Sequence, residues 1–133
     1  MTPLPLLASH KRRSSKLTTN SKIFKSVIKA IREKKGENIL SLDLRKIPEA
    51  VTDFFIICQA ASTTQIKAIA DFVEERVKNE CGEIRYRHEG FRTLHWVLID
   101  YVNIVVHIML PQVREFYKLE EMWSDGRLLQ HND

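Results

Sequence analysis

Apolar residues recur along this chain with two different periods, and the change of period marks out its elements. From Ser21, Phe24, Val27, Ile28 and Ile31 fall at i, i+3, i+4 and i+7, the single apolar face of a helix, with Gly36 as a natural stop. Leu40, Leu42 and Leu44 then alternate with polar neighbours, as in a half-buried strand that Pro48 ends. The run Phe54–Cys58 is continuously apolar and rich in β-formers, which predicts a strand buried on both faces. Ser62 and Gln65 have the spacing of a capping box, in which each side chain satisfies the other's free amide. Behind them Ile66, Ile69, Ala70, Val73 and Val77 form a second helical stripe closed by Gly82. A short strand over residues 83–87 comes next, followed by two strong strands, Leu94–Val102 and Ile104–Leu110. A last helix opening near Pro111 is expected to bury Val113, Phe116 and Trp123. This order predicts one α/β domain over residues 20–133, a mixed sheet packed with helices, preceded by a disordered basic tail over 1–19.

The two strong strands carry the most information. A turn at Val102 and Asn103 pairs Tyr101 with Ile104, Asp100 with Val105, Leu98 with His107 and Trp96 with Met109. One face of that hairpin holds Val97, Ile99, Tyr101, Ile104, Val106, Ile108 and Leu110 and is core. The other holds Trp96, Leu98, Asp100, Val105, His107 and Met109, large apolar groups mixed with a carboxylate and an imidazole. Burial of that face would require partners for Asp100 and His107. Left bare, it would be an apolar patch larger than scattered exposure explains. Two readings stay open: a helix covers the face and Asp100 bonds His107, or the face docks a partner protein, as aromatic and Met-rich interface centres do.

Charge is unevenly distributed. The chain of 133 residues has a net charge of +4, yet residues 1–32 hold eight Lys/Arg (Lys11, Arg12, Arg13, Lys16, Lys22, Lys25, Lys29 and Arg32) and no acid. Residues 33–133 therefore hold 13 basic against 17 acidic residues. This balance assigns the basic character to the N-terminus rather than the folded body and argues against a body that binds nucleic acid generally. The acid-poor start reads more readily as a solvated tail than as an organelle transit peptide. No apolar run reaches the roughly 18 residues of a membrane span. Cys58 and Cys81 make no CxxC pair, and so few cysteines fit a reducing compartment.

Catalytic patterns are missing from the sequence. There is no GxGxxG or GxxxxGK[ST] motif, and four glycines are few for a phosphate cradle. His88 and His95 stand seven apart across a loop, which is weak metal-ligand spacing. Cys58 sits in an apolar strand, the setting of an inert thiol. Glu120 and Glu121 share a helix where such pairs face water. Metal-dependent nucleotidyl transfer needs paired carboxylates two apart on a strand, and no Asp-x-Asp occurs. Neither a catalytic residue nor a cofactor site is expected.

The stretch WVLIDYVNIVVHIMLPQVREFYKLEEMW resembles the C-terminal signature of the ribosomal silencing factor family (RsfS, or Iojap-related). SLDL, VTDFFIICQAAS, QIKAIAD and the Glu89–Gly90 pair match the same family in order, so the resemblance runs from about Lys22 to Trp123. It implies a nucleotidyltransferase-like fold without catalytic residues. It further implies a protein that binds the large ribosomal subunit through ribosomal protein uL-fourteen and blocks small-subunit joining when nutrients are short. Organellar relatives look more like large-subunit assembly factors. The family's contact surface carries over onto Trp96, Leu98, His107 and Met109. These expectations place the protein in the cytoplasm, or in the mitochondrial or plastid matrix if the tail is a transit peptide. They make it a monomer on the ribosome, with its free oligomeric state open and weak ribosomal RNA contact left to the tail. At the turn the family has Gly-Asp where this chain has Val102-Asn103. A β-branched residue resists the positive φ of tight hairpins, so the residues leave open another turn type or a one-residue slip.

Overall fold

The computed structural model describes residues 21–132; the proposed tail over 1–19 lies outside the described residues. The described elements are α1 (Lys22–Glu33), β1 (Glu37–Asp43), β2 (Phe54–Gln59), α2 (Thr63–Cys81), β3 (Arg87–Glu89), β4 (Trp96–Asp100), β5 (Ile104–Met109), α3 (Pro111–Tyr117), α4 (Leu119–Met122) and β6 (Arg127–Gln130). They form one α/β domain around a six-stranded mixed sheet in the order β3-β4-β5-β2-β1-β6. The parallel pair is β2 with β5; the other neighbours run antiparallel.

Two apolar layers flank the sheet. On one face α1 and α2 pack through Phe24, Val27, Ile31, Ile66, Ile69 and Val73 onto Phe54, Ile56, Val97, Ile99, Val106 and Ile108. On the other, Leu44, Ile47 and Ala50 from the segment after β1 join Leu119 and the half-buried Val113 and Trp123 over Phe55, Ile57, Leu98, Val105 and Met109. Strand β2 lies between both layers and is buried at every position from Phe54 to Cys58, because a central strand with helices or loops on each side has no solvent face.

Local signals act partly as expected. Ser62 Oγ accepts from Gln65 N at 3.1 Å, and Gly82 closes α2 in the left-handed region. The reciprocal half of the capping box does not form: Gln65 Nε2 donates to the Lys34 and Lys35 carbonyls, tying α2 to the end of α1. Helix α1 ends at Lys34, and Lys35 rather than Gly36 takes the positive φ. Gly36 is needed for closeness instead, since a Cβ there would lie 2.4 Å from Ile31 Cγ2.

The C-terminal region departs from expectation. Two short helices meet at Lys118, which turns through φ 48°, in place of one longer helix. Phe116, expected in the core, is 79% exposed, and the positions turned inward are Arg114 and Leu119. Arg114 Nη1 donates to the Asn38 carbonyl at 2.7 Å and to Gln59 Oε1 at 3.3 Å, and Nε reaches Glu120 Oε2 at 3.4 Å. A buried guanidinium with three acceptors can replace an apolar anchor, because its donors are paired. Strand β6 pairs antiparallel with β1 and has no counterpart in the expected order. Its burial pattern lacks the alternation of a half-buried strand, so sequence periodicity could not announce it.

Candidate functional site: an aromatic row on the hairpin

The hairpin keeps the simple register. Trp96 lies opposite Met109, Leu98 opposite His107 and Asp100 opposite Val105. Val102 meets the demand for positive φ itself, at 73°, in a tight turn where Asn103 N donates to the Tyr101 carbonyl at 2.9 Å and Tyr101 N to the Ile104 carbonyl at 2.8 Å. An i to i+2 hydrogen bond around a residue with φ near +75° is a γ-turn of the rare, strained hand. Surrounding groups hold it there. Asp100 Oδ1 accepts from Val102 N at 2.7 Å, the Asn103 carbonyl accepts from the amides of Asp53 and Phe54 at 3.1 Å each, and Asn103 Nδ2 donates to Asp53 Oδ2 at 2.9 Å.

The mixed face is not bare. Leu98, Asp100, Val105, His107 and Met109 are all buried, and only Trp96 among the six expected contact residues reaches solvent, half-buried. The covering layer is the 44–51 segment with α4 and Trp123, a connection in which sequence periodicity showed no element. Asp100 and His107 do not bond each other. Asp100 serves the turn, and His107 Nδ1 accepts from Trp96 Nε1 at 3.1 Å.

From His107 an aromatic row leads outward. The His107 ring meets Phe55 edge-on at 4.6 Å on its inner side and Trp96 at 5.9 Å on its outer side. Trp96 lies 4.8 Å from the Tyr117 ring, and Tyr117 meets Phe116 edge-on at 4.9 Å. The row thus passes from a buried imidazole through half-buried Trp96 and Tyr117 to exposed Phe116. Gly90 supports its base: the backbone there has φ 91°, and a Cβ would lie 1.9 Å from the Trp96 carbonyl oxygen, so no other residue lets the loop lie against β4. Phe116 and Tyr117 escaped the sequence reading because a single continuous helix would have turned Phe116 inward.

At its buried end the row is uncharged. Burial pushes the His107 pKa down to about 3, so the ring is neutral at physiological pH. With Nδ1 accepting from the indole, the ring proton belongs on Nε2, which has no hydrogen-bond partner among the described residues. Burial likewise pushes the Cys58 thiol up to about 12, which removes its thiolate. Asp43 and His88 have structural duties. Arg45 grips Asp43 through both oxygens, at 2.9 and 2.6 Å, and this hydrogen bonding holds the Asp43 carboxyl below its usual range. His88 pairs with Glu74 at 2.5 Å and stacks on Phe91, away from His95 in the register of the sheet. No group of three or more His, Cys, Asp or Glu suited to a metal occurs among the described residues. No helix among them is long and apolar enough to cross a membrane.

The molecule is thus a layered α/β domain whose aromatic row runs from its hairpin to α3, with carboxylates committed to its own turns. Known proteins make the assignment specific. The family model described as "Ribosomal silencing factor during starvation" matches residues 17–133. The ribosomal silencing factor RsfS of Halalkalibacterium halodurans is 34% identical over 108 residues, spanning 81% of this chain and 91% of that protein. The mouse protein named "Mitochondrial assembly of ribosomal large subunit protein 1" is 30% identical over 92 residues, 66% of this chain but 40% of its own length. A crystal structure of a Chromobacterium violaceum protein aligns with a TM-score of 0.73 at 35% identity, covering 77% of this chain and 84% of that one. The chain belongs to the ribosomal silencing factor family.

Proposed function

We propose that this protein is a ribosome-binding regulator that acts by obstruction and performs no chemistry. It seats the row Trp96–Tyr117–Phe116 on large-subunit ribosomal protein uL-fourteen and so prevents small-subunit joining under nutrient limitation. The observation that carries this reading is Phe116, a 79% exposed phenylalanine continuous through Tyr117 with the half-buried Trp96. An aromatic cluster of this kind is what interface centres use, because rigid rings desolvate a large area at small entropic cost. Leu98, Asp100, Val105, His107 and Met109 act from behind, fixing the backbone and rings that meet the partner. A cytoplasmic ribosome is the target this reading takes, in keeping with the bacterial relative, while the mitochondrial relative points to an organellar one. The name of that mitochondrial relative supports large-subunit assembly as the second reading.

Purified subunits test the proposal. The protein should pellet with large and not small subunits, and should lower the yield of joined ribosomes on a sucrose gradient. Phe116→Ser should weaken large-subunit binding by about tenfold or more while leaving thermal stability nearly unchanged, because the ring supports nothing inside the fold. Undiminished binding by Phe116→Ser together with Trp96→Ala would move the docking surface elsewhere.

A further inference from the structure

The position of α1 changes the meaning of the charge split along the sequence. Four of the eight cations that precede residue 33 lie on this helix, inside the folded body and not in the tail. Lys22, Lys25, Lys29 and Arg32 follow one another at intervals of three, four and three residues, and all are exposed. That spacing aligns them along one side of the helix, a stripe about 15 Å long at 1.5 Å rise per residue. The opposite side, through Phe24, Val27, Ile28 and Ile31, is buried against α2 and the sheet. Lys22, Lys25 and Lys29 have no ion-pair partner among the described residues. Lys29 acts through its field on Glu80, whose carboxylate is already held by Arg76 and Ser26. Arg32 differs, since its guanidinium donates to the His131 carbonyl.

We infer that the α1 stripe, led by Lys22, Lys25 and Lys29, is a second docking surface and binds the phosphate backbone of structured RNA. Several uncompensated cations in a row match a repeating line of anions, and each ammonium that neutralises a phosphate releases a counterion. A lipid surface fits less well, because an interfacial helix needs its apolar side free to enter the bilayer, and here that side is the core. The aromatic row lies on the α3–α4 side of the sheet and α1 on the other. The two surfaces can therefore be occupied together. The inference uses the ribosomal reading only to choose RNA as the polyanion.

Fluorescence anisotropy with a labelled RNA hairpin of about 20 base pairs tests it, using four full-length or tail-deleted proteins. These are wild type, a deletion of residues 1–19, the triple Lys22→Gln/Lys25→Gln/Lys29→Gln variant, and the two combined. Both proteins with intact lysines should bind. The triple substitution should weaken binding about tenfold or more and flatten the slope of log K against log salt by about 3, one for each phosphate no longer neutralised. Arginine at the same three positions should restore affinity, which separates charge from any effect on folding. Equal RNA binding by wild type and the triple variant overturns the inference, as does complete loss on deleting 1–19 alone. Charge-dependent binding to vesicles containing phosphatidylglycerol, without RNA binding, overturns it in favour of a membrane. Trp96→Ala reports separately: it should lose large subunits and keep the RNA hairpin. Failure of the aromatic docking surface thus shows in one assay and failure of the cationic one in the other.

Discussion

At the scale of single residues, His107 carries a conflict that pH can expose. Its imidazole is fully buried, and its pKa falls to about 3 from an ordinary 6.5. The unfolded chain takes up a proton near pH 6.5 while the folded ring stays neutral. The stability associated with the neutral ring is therefore complete above pH 6.5 and is lost as pH falls toward 3. The loss should run at up to about 1.4 kcal/mol per pH unit, and His107→Leu should abolish that component. Urea titrations at several pH values compare the two slopes; parallel curves would mean that the ring is solvated. Val102 poses the opposite case. Its φ of 73° is one a β-branched side chain resists, yet the side chain is buried at the hairpin turn. Relief of strain costing about 1–3 kcal/mol is set against the lost burial of the isopropyl group, of similar size, and the entropy glycine adds to the unfolded chain, so Val102→Gly should be neutral to destabilising by about 1 kcal/mol. Ile99→Ala, which empties a site in the main core, should cost about 2–5 kcal/mol in the same denaturation experiment.

Elements were legible in proportion to their periodicity. Helices α1 and α2, the central strand β2 and the β4–β5 hairpin were readable because each buries a stripe or an alternating row. The register of the hairpin, which the valine left open, is the simple one, because a slip would have turned Val97, Ile99, Val106 and Ile108 out of the core. What failed had a different physical basis. The covering of the second face comes from Leu44, at the end of an alternating row, with Ile47 and Ala50 from a segment without a period, and the inward anchor of α3 is an arginine. Five of the six expected contact residues, Leu98, Asp100, Val105, His107 and Met109, consequently lie buried, while Phe116 and Tyr117 take the surface beside Trp96. The anchor can be checked directly. Arg114→Met leaves the Asn38 carbonyl and Gln59 without a donor and should cost about 1–3 kcal/mol, with faster proteolysis across α3. An unchanged cleavage pattern would show that apolar contacts from Val113 and Leu119 suffice.

For the whole molecule, the sheet separates two surfaces of different character, centred on aromatic rings on one side and on cations on the other. Their sensitivities to salt should differ accordingly, since screening weakens exposed charges far more than desolvated rings. Large-subunit binding measured across a salt series should fall partway and then level, and Lys22→Gln/Lys25→Gln/Lys29→Gln should remove only the steep part.

Strand β6 has a bearing on the order of synthesis. It pairs with β1, and the residues that follow it complete the seal: His131 donates its amide to the Ile39 carbonyl at 2.8 Å, its Nε2 lies 2.7 Å from Ser41 Oγ, and Asn132 Oδ1 accepts from Ile39 N at 2.8 Å. Of the described elements, the first strand of the sheet is thus closed by the last to be translated. A nascent chain, growing at about 5–20 residues per second, carries the outer edge of β1 unpaired until β6 has emerged. Through that interval the edge offers open amides and carbonyls to any extended neighbour. The newborn protein is therefore most in need of a chaperone in the interval when β1 has emerged and β6 has not.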